Sequence, residues 1–314
     1  MVTQRTSIGG RNGDYNSLRR DITQTDLGSV KVCDMFLDWH KNVRRSSQET
    51  LKAYRHVIGH WATWMTVQAH TDVLRASRSD MEVFCRRPTR AGGERSPRSQ
   101  RREVAVLRSF YRWAAAEGLT AHNLAGNLSA PKIRAQEPKP IPDDVWTQTW
   151  CRDMAPLMRV MLGLGYYCGL RRTEICGLTG DHITGERVSG FVRKGGGDHT
   201  IDWRSMVDAA RTLNQTHDSR WTDLFVDELP EVADHVGSHQ LLSPWGNPTP
   251  QMVYRRVKPL GFTPHQLRHS CATNLVTAGV PVHIVKETLN HNDIQTTMGY
   301  VKVRASALAD WLSQ

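Results

Sequence analysis

At 314 residues the chain is too long for one typical domain and long enough for two, each with a core of its own. Its formal net charge of +10 favours a polyanionic partner, while six cysteines scattered without a CxxC pair argue against a disulfide framework and a zinc ribbon. The longest apolar run, Val160 to Leu170, is too short to span a bilayer, and MVTQRTSIGGRNGDYNS lacks the apolar segment of a secretory signal.

The charge is unevenly placed. Residues 1–128 hold 21 Lys and Arg against 12 Asp and Glu, whereas 129–314 hold 20 against 19. The first part is therefore the better candidate for an extended phosphate-binding surface. Residues 1–28, rich in Gly, Asn, Ser and Arg, are expected to form a flexible basic arm too poor in apolar groups to fold alone. From there to 128 the spacing predicts a compact helical domain. Val32, Met35, Phe36 and Trp39 make one apolar stripe, and Leu51, Tyr54, Ile58, Trp61 and Met65 make another. The aromatic residues fall on these stripes, which assigns them to a core. Ser79 with Glu82 reads as a capping box opening a short third helix, and a fourth is expected from about Ser99 to Glu117, stopped by Gly118. Between them, RRPTRAGGERSPRSQRR reads as a loop carrying Arg86, Arg87, Arg90, Arg95, Arg98, Arg101 and Arg102 against one acid, Glu94. Their guanidinium density suits DNA phosphates; a disordered, solvated stretch is the alternative.

Residues 129–142, with four prolines and no helical pattern, read as a linker to a second domain over 143–314. There, Val145 to Gly169 is predicted helical, with Leu157, Val160, Met161 and Leu164 on its buried stripe. Residues 186–203 read as a β-hairpin turning at GGGD, followed by helical segments near 205–216, 249–257, 264–278 and 281–289.

Six polar residues sit in short local contexts along this second domain: Arg171 in GLRRTEI, Lys194 in RKGGGDHT, His265 and Arg268 in HQLRH, His291 in LNHND, and Tyr300 in TTMGYVKV. Breaking a phosphodiester requires cations on the nonbridging oxygens, a nucleophile in line and an acid for the leaving oxygen. Arginine offers two parallel N–H bonds to phosphate, which lysine cannot. In this order and context, from roughly residue 30 to Tyr300, the chain resembles the tyrosine recombinase (phage integrase) family. The resemblance implies that Tyr300 is the nucleophile, that Arg171 and Arg268 clamp the scissile phosphate, and that Lys194 protonates the departing 5′ oxygen, with neighbouring Arg193 as a rival. His265 would bind the phosphate and take the nucleophile's proton, with His291 completing the set. Glu174, one helical turn beyond Arg171, either braces that guanidinium or makes an ordinary surface ion pair. His265 and His269 are spaced as a zinc pair, but neither a HExxH glutamate nor a third ligand is indicated, so His269 reads as a packed histidine. The family carries glycine where Asn290 stands, a replacement that the left-handed end of a helix accepts. Tyr166 and Tyr167 read as core.

The resemblance further implies a mainly α fold with a small β-sheet. An N-terminal all-α core-binding domain and a C-terminal α+β catalytic domain would form a clamp on duplex DNA. The expected activity is site-specific recombination at short attachment sites through a 3′-phosphotyrosyl intermediate, by a homotetramer on paired sites in the cytoplasm. It needs no cofactor or metal, and an accessory DNA-bending or directionality factor is a possible partner. The short arm implies compact core sites without distant arm sites. A type IB topoisomerase-like enzyme, a non-catalytic DNA-binding regulator and a metal-dependent nuclease are the alternatives. Leu308, Trp311 and Leu312 form a C-terminal stripe for docking on a neighbouring protomer or on its own domain.

Overall fold

The computed structural model describes residues 28–89, 91–133, 137–192, 198–213, 220–290 and 297–300. The chain divides into two compact units, Met1–Ala135 and Gln136–Gln314, and the division falls within the proline-rich stretch 129–142. Together they are mainly helical with one small sheet. The arm 1–27 and the C-terminal stripe lie outside the described residues, and no helix among the described residues is long and apolar enough to cross a membrane.

The first unit packs α1 (Ser29–Asn42), α2 (Gln48–Val67), α3 (Arg78–Arg86) and α4 (Pro97–Ala116) around one core. Phe36, Ile58, Trp61, Met65, Met81, Phe84, Leu107 and Phe110 are fully buried in it. Of the stripe aromatics, Phe36 and Trp61 are core, and Trp39 and Tyr54 are half-buried against it. Trp61 Nε1 donates to Tyr111 Oη at 3.0 Å, and that hydroxyl donates to the Val73 carbonyl at 2.6 Å, so both polar tips are satisfied inside the apolar cluster. Helix α4 begins two residues before the expected Ser99, at Pro97, with Ser96 Oγ accepting from Ser99 N at 3.2 Å. It ends where expected. Gly118 takes φ +72°, and Leu119 N and Gly118 N bond back to the Ala114 and Ala115 carbonyls at 2.8 and 3.1 Å.

The cap of α3 differs from expectation. The capping box is Ser77 with Asp80: Ser77 Oγ accepts from Asp80 N at 3.2 Å, and Asp80 Oδ2 accepts from Ser77 N at 2.8 Å. Two overlapping pairs share the same spacing, and the earlier one wins because Ser77 still holds the extended conformation a cap requires. Ser79 is already helical, and Glu82 pairs with Arg78 at 2.7 Å instead.

In the second unit the expected helix over Val145–Gly169 is two helices, α5 (Asp143–Trp150) and α6 (Pro156–Tyr166). Pro156 has no N–H with which to continue α5, and it starts α6 at the position proline tolerates. Helix α7 (Arg172–Gly177) follows. The sheet has order β1-β2-β3, all antiparallel, with β1 (Ile183–Thr184), β2 (Arg187–Val192) and β3 (Asp198–Asp202). The β2–β3 hairpin matches expectation, while the short β1, pairing Ile183 with Val188, carried no signal of its own. Helices α8 (Trp203–Leu213), α9 (Arg220–Val236), α10 (Pro250–Val257), α11 (Pro264–Thr277) and α12 (Val282–Thr288) complete the described unit.

Helix α9 is the largest element that the sequence reading missed, its periodicity masked by Pro230 in its interior. Tertiary contacts hold it. Arg159 Nε of α6 donates to both Glu228 oxygens at 2.9 and 2.8 Å, and Phe225 packs so tightly on α6 that a Cβ at Gly163 would sit 2.1 Å from its ring. Helix α6, flanked by α9 and α11, is the spine of this core.

Candidate active site

Helix α11 carries the centre of the site. Pro264 opens it at N1, and Thr263 N donates to Gln266 Oε1 at 3.0 Å, fixing the entry. Helical spacing then sets His265, Arg268 and His269 on adjoining positions of one face. The Arg268 side chain is buried. Its Nη1 donates to the Gly169 carbonyl at 2.5 Å and its Nη2 to the Leu289 carbonyl at the C-terminus of α12.

Arg171 comes from the segment between α6 and α7, after Gly169 turns the chain at φ +64°. A side chain at that glycine would be strained there, and its Cβ would sit 2.3 Å from Leu289. Arg171 occupies the N-cap of α7, one residue ahead of the helix itself. The buried Glu174 takes both ends of it, accepting from Arg171 N at 2.7 Å and from Arg171 Nη1 at 2.8 Å. This is a partly buried brace, which decides against an ordinary surface pair. Arg171 Nη2 reaches the Asn290 carbonyl at 3.1 Å. Asn290 ends α12 at φ +49°, the left-handed conformation foreseen for it. Two arginines 97 residues apart in sequence are thus tied to consecutive carbonyls, 289 and 290, immediately before His291. His291 itself and Lys194 lie outside the described residues.

Tyr300 closes the described segment 297–300, which is helical as expected. Its hydroxyl does not face solvent, however. The residue is 2 % exposed, and Oη lies 2.6 Å from Nδ1 of His269. His269, read from sequence as a packed histidine, is therefore in contact with the nucleophile candidate, whereas His265 stacks edge-on against His269 with ring centroids 4.3 Å apart. The missed signal was its position in HQLRH, four residues after His265 and adjacent to Arg268, which puts it on the same helical face. The carbonyls of Gly169, Leu289 and Asn290 could not have been named from side-chain identities, although the glycine and asparagine marked two of the turns.

The electrostatics follow from the arginines. Protein crowds one side of the solvent-accessible His265, and that desolvation, with the charges of Arg268, Arg171 and Arg172, holds its pKa below the ordinary histidine value. Burial, then His265 and Arg268, push His269 down to about 4. Burial raises the Tyr300 phenol to about 12; Arg268 opposes that shift and Cys271 adds to it. Both imidazoles are thus neutral near pH 7, in a pocket whose positive field an entering phosphodiester would offset.

The arginines between α3 and α4 separate into two groups. Arg86 belongs to α3, and Arg98, Arg101 and Arg102 lie on the first turns of α4, so much of the expected loop is helix. These four are exposed. Arg87 and Arg95 are instead drawn inward onto the buried Glu103. Arg87 donates at 3.2 and 3.0 Å, Arg95 approaches at 3.0 Å, and the Arg87 guanidinium lies 3.5 Å over the Phe84 ring. Burial lowers the Arg87 pKa despite the carboxylate. These two are held as structural ion pairs rather than displayed to a ligand, and Arg90 lies outside the described residues.

A helical unit followed by an α+β unit with two arginines, two histidines and a tyrosine gathered at α11 defines a phosphodiester strand-transfer enzyme. The sequence matches the family model of the phage integrase family over residues 152–307 and that of the phage integrase N-terminal SAM-like domain over 34–118. It is 31% identical to a tyrosine recombinase XerC of Azotobacter vinelandii, over 88% of this chain and 92% of that protein, and 28% identical to a tyrosine recombinase of Thermosipho africanus, over 87% and 95%. The fold resembles a lambda integrase tetramer bound to a Holliday junction, with TM-score 0.62 at 14% identity, covering 91% of this chain and 79% of that one. The chain belongs to the tyrosine recombinase (phage integrase) family, and is a site-specific recombinase acting on DNA.

Proposed function

We propose that this protein integrates or excises DNA at short attachment sites, with Tyr300 as the nucleophile that forms a 3′-phosphotyrosyl bond. The observation that carries the reading is the Tyr300 hydroxyl held 2.6 Å from an imidazole on α11, the helix that also supplies the buried Arg268. Arg171 and Arg268 bind the nonbridging oxygens of the scissile phosphate, their geometry fixed by Glu174 and by the carbonyls of Gly169, Leu289 and Asn290. His265 and His291 add hydrogen bonds to the phosphate. Lys194 protonates the leaving 5′ oxygen. The covalent bond stores the phosphodiester energy, so the rejoining step needs no nucleotide.

The exposed Arg86, Arg98, Arg101 and Arg102, with Arg90, supply sequence-independent phosphate contacts from the core-binding domain. The two domains, 29–128 and 143–314 joined by 129–142, close as a clamp on the duplex, and four copies act on two paired sites in the cytoplasm, with an accessory factor setting direction. Because Tyr300 is buried, the hydroxyl must be uncovered when DNA enters.

Replacing Tyr300 by Phe removes the nucleophilic oxygen and leaves the surface unchanged. On a nicked suicide duplex, the variant is expected to bind DNA normally and form no denaturant-resistant adduct. A persisting adduct would overturn the assignment.

A further inference from the structure

The catalytic proton of the phenol has no acceptor in the reading drawn from sequence other than His265, yet the histidine in contact with the hydroxyl is His269. Its Nδ1 lies 2.6 Å from Tyr300 Oη, a distance typical of a direct O–H···N bond, and the phenol is buried, so bulk water has little access to compete for that proton. The rings are tilted by 48° with centroids 5.7 Å apart, so they meet through the hydrogen bond without stacking. His269 is also fixed from its other side, where His265 meets it edge-on.

We propose that His269 is a catalytic residue of this recombinase, the proton acceptor for Tyr300 during strand cleavage and the donor that returns the proton on rejoining. The proposal rests on Tyr300 being the nucleophile. In the resting protein His269 carries its proton on Nε2, and Tyr300 donates to Nδ1. As Oη attacks phosphorus, the O–H bond breaks and its electron pair forms the Oη–P bond. The proton passes to Nδ1, and the P–O5′ bond breaks with its electrons leaving on the 5′ oxygen, which takes a proton from the separate acid. In the reverse direction the 5′ hydroxyl gives its proton back to that separate group as it attacks phosphorus, and the P–Oη bond breaks with its electrons on the phenol oxygen, which recovers its proton from the His269 imidazolium.

The surroundings suit this traffic. The titratable and charged groups facing His269 are His265 and Arg268 on its own helix and Tyr300 from segment 297–300, while Arg171 and Arg172 of the α7 region face His265. Burial first, and then the charges of the neighbouring arginines, keep both histidines unprotonated and ready to accept. A scissile phosphate entering among Arg171, Arg268 and His265 would supply the negative charge that makes an imidazolium at His269 tolerable. Proton acceptance is thereby tied to the presence of DNA. A phenol raised to about 12 would otherwise be ionised in only a minute fraction of molecules near neutral pH, which is the deficit an adjacent acceptor offsets.

The test is single-turnover adduct formation on a nicked suicide duplex from pH 6 to 9, for wild type, His269→Phe, His269→Asn and Tyr300→Phe. DNA affinity and thermal melting of each variant are measured in parallel. Phe keeps the ring volume without an acceptor; Asn keeps an acceptor near the Nδ1 position but cannot hold a proton. Both His269 variants are expected to bind duplex as wild type does and to form adduct about a hundredfold more slowly at pH 7. The deficit should shrink by about tenfold per pH unit on the alkaline side, where solvent base begins to ionise the phenol itself. Rescue by Asn to near the wild-type rate, or a deficit that does not change with pH, would overturn proton acceptance in favour of mere placement. Wild-type rates in both variants would overturn the contact's role altogether. An adduct formed by Tyr300→Phe would instead remove the nucleophile assignment on which the proposal rests.

Discussion

Glu103 in the first unit and the carbonyls of Gly169, Leu289 and Asn290 in the second both immobilise arginines, with opposite consequences. Arg87 and Arg95 are anchored by a carboxylate, so the same contact that fixes them also cancels charge. Arg268 hydrogen-bonds to backbone carbonyls, and Arg171 divides its guanidinium between Glu174 and a carbonyl. A carbonyl satisfies an N–H group without cancelling the cation. The charge of Arg268 is still felt at His265, His269 and Tyr300, and that of Arg171 at His265. On the proposed reading, Arg171 and Arg268, with donors on the carbonyls of Gly169, Leu289 and Asn290, serve the phosphate, and the pair tied to Glu103 serves the fold.

The contrast can be broken at Glu103. Removing one partner of a buried ion pair leaves the others uncompensated, so Glu103→Ala should destabilise the first unit by about 3 kcal/mol. Chemical denaturation would read this as a lower midpoint, while single-turnover cleavage per folded molecule stays near wild type. A stability change within about 0.5 kcal/mol would show that Arg87 and Arg95 are ordinary surface arginines.

A smaller effect sharpens the local structure that carries Arg86. Ser77→Ala removes the cap of α3 and should cost about 1 kcal/mol, whereas Ser79→Ala, inside the helix, should be close to neutral. Equal effects at the two serines would return the cap to the register read from sequence.

Much of the site was legible because its chemistry is carried by side chains in short contexts. Arg171 and Glu174 stand one helical turn apart as their spacing suggested, the left-handed Asn290 follows from its place at a helix end, and Tyr300 lies on the expected helix but with its hydroxyl buried against His269. The errors share a cause in contacts between distant segments. Helix α9 persists through Pro230 because Phe225 and Glu228 lock onto α6, a tertiary effect with no local signature. Arg87 and Arg95 looked like phosphate seekers because Glu103 lies beyond the basic run and its burial depends on the fold of α4. His269 looked inert until Tyr300, 31 residues later, came to rest against it.

The central claim is that the arginines that reach the carbonyls of Gly169, Leu289 and Asn290, Arg268 and, alongside its Glu174 pair, Arg171, serve the reaction, and that the pair held by Glu103 serves the fold. Single-turnover adduct formation per folded molecule, measured side by side for Arg171→Lys and Arg87→Lys, tests it most directly. Lysine keeps the charge and loses the paired N–H geometry at both sites. The account predicts a rate about a hundredfold lower for Arg171→Lys and an unchanged rate for Arg87→Lys, because only the former loses a donor to the transition state. Comparable losses in both variants, or a near-wild-type rate for Arg171→Lys, would contradict it.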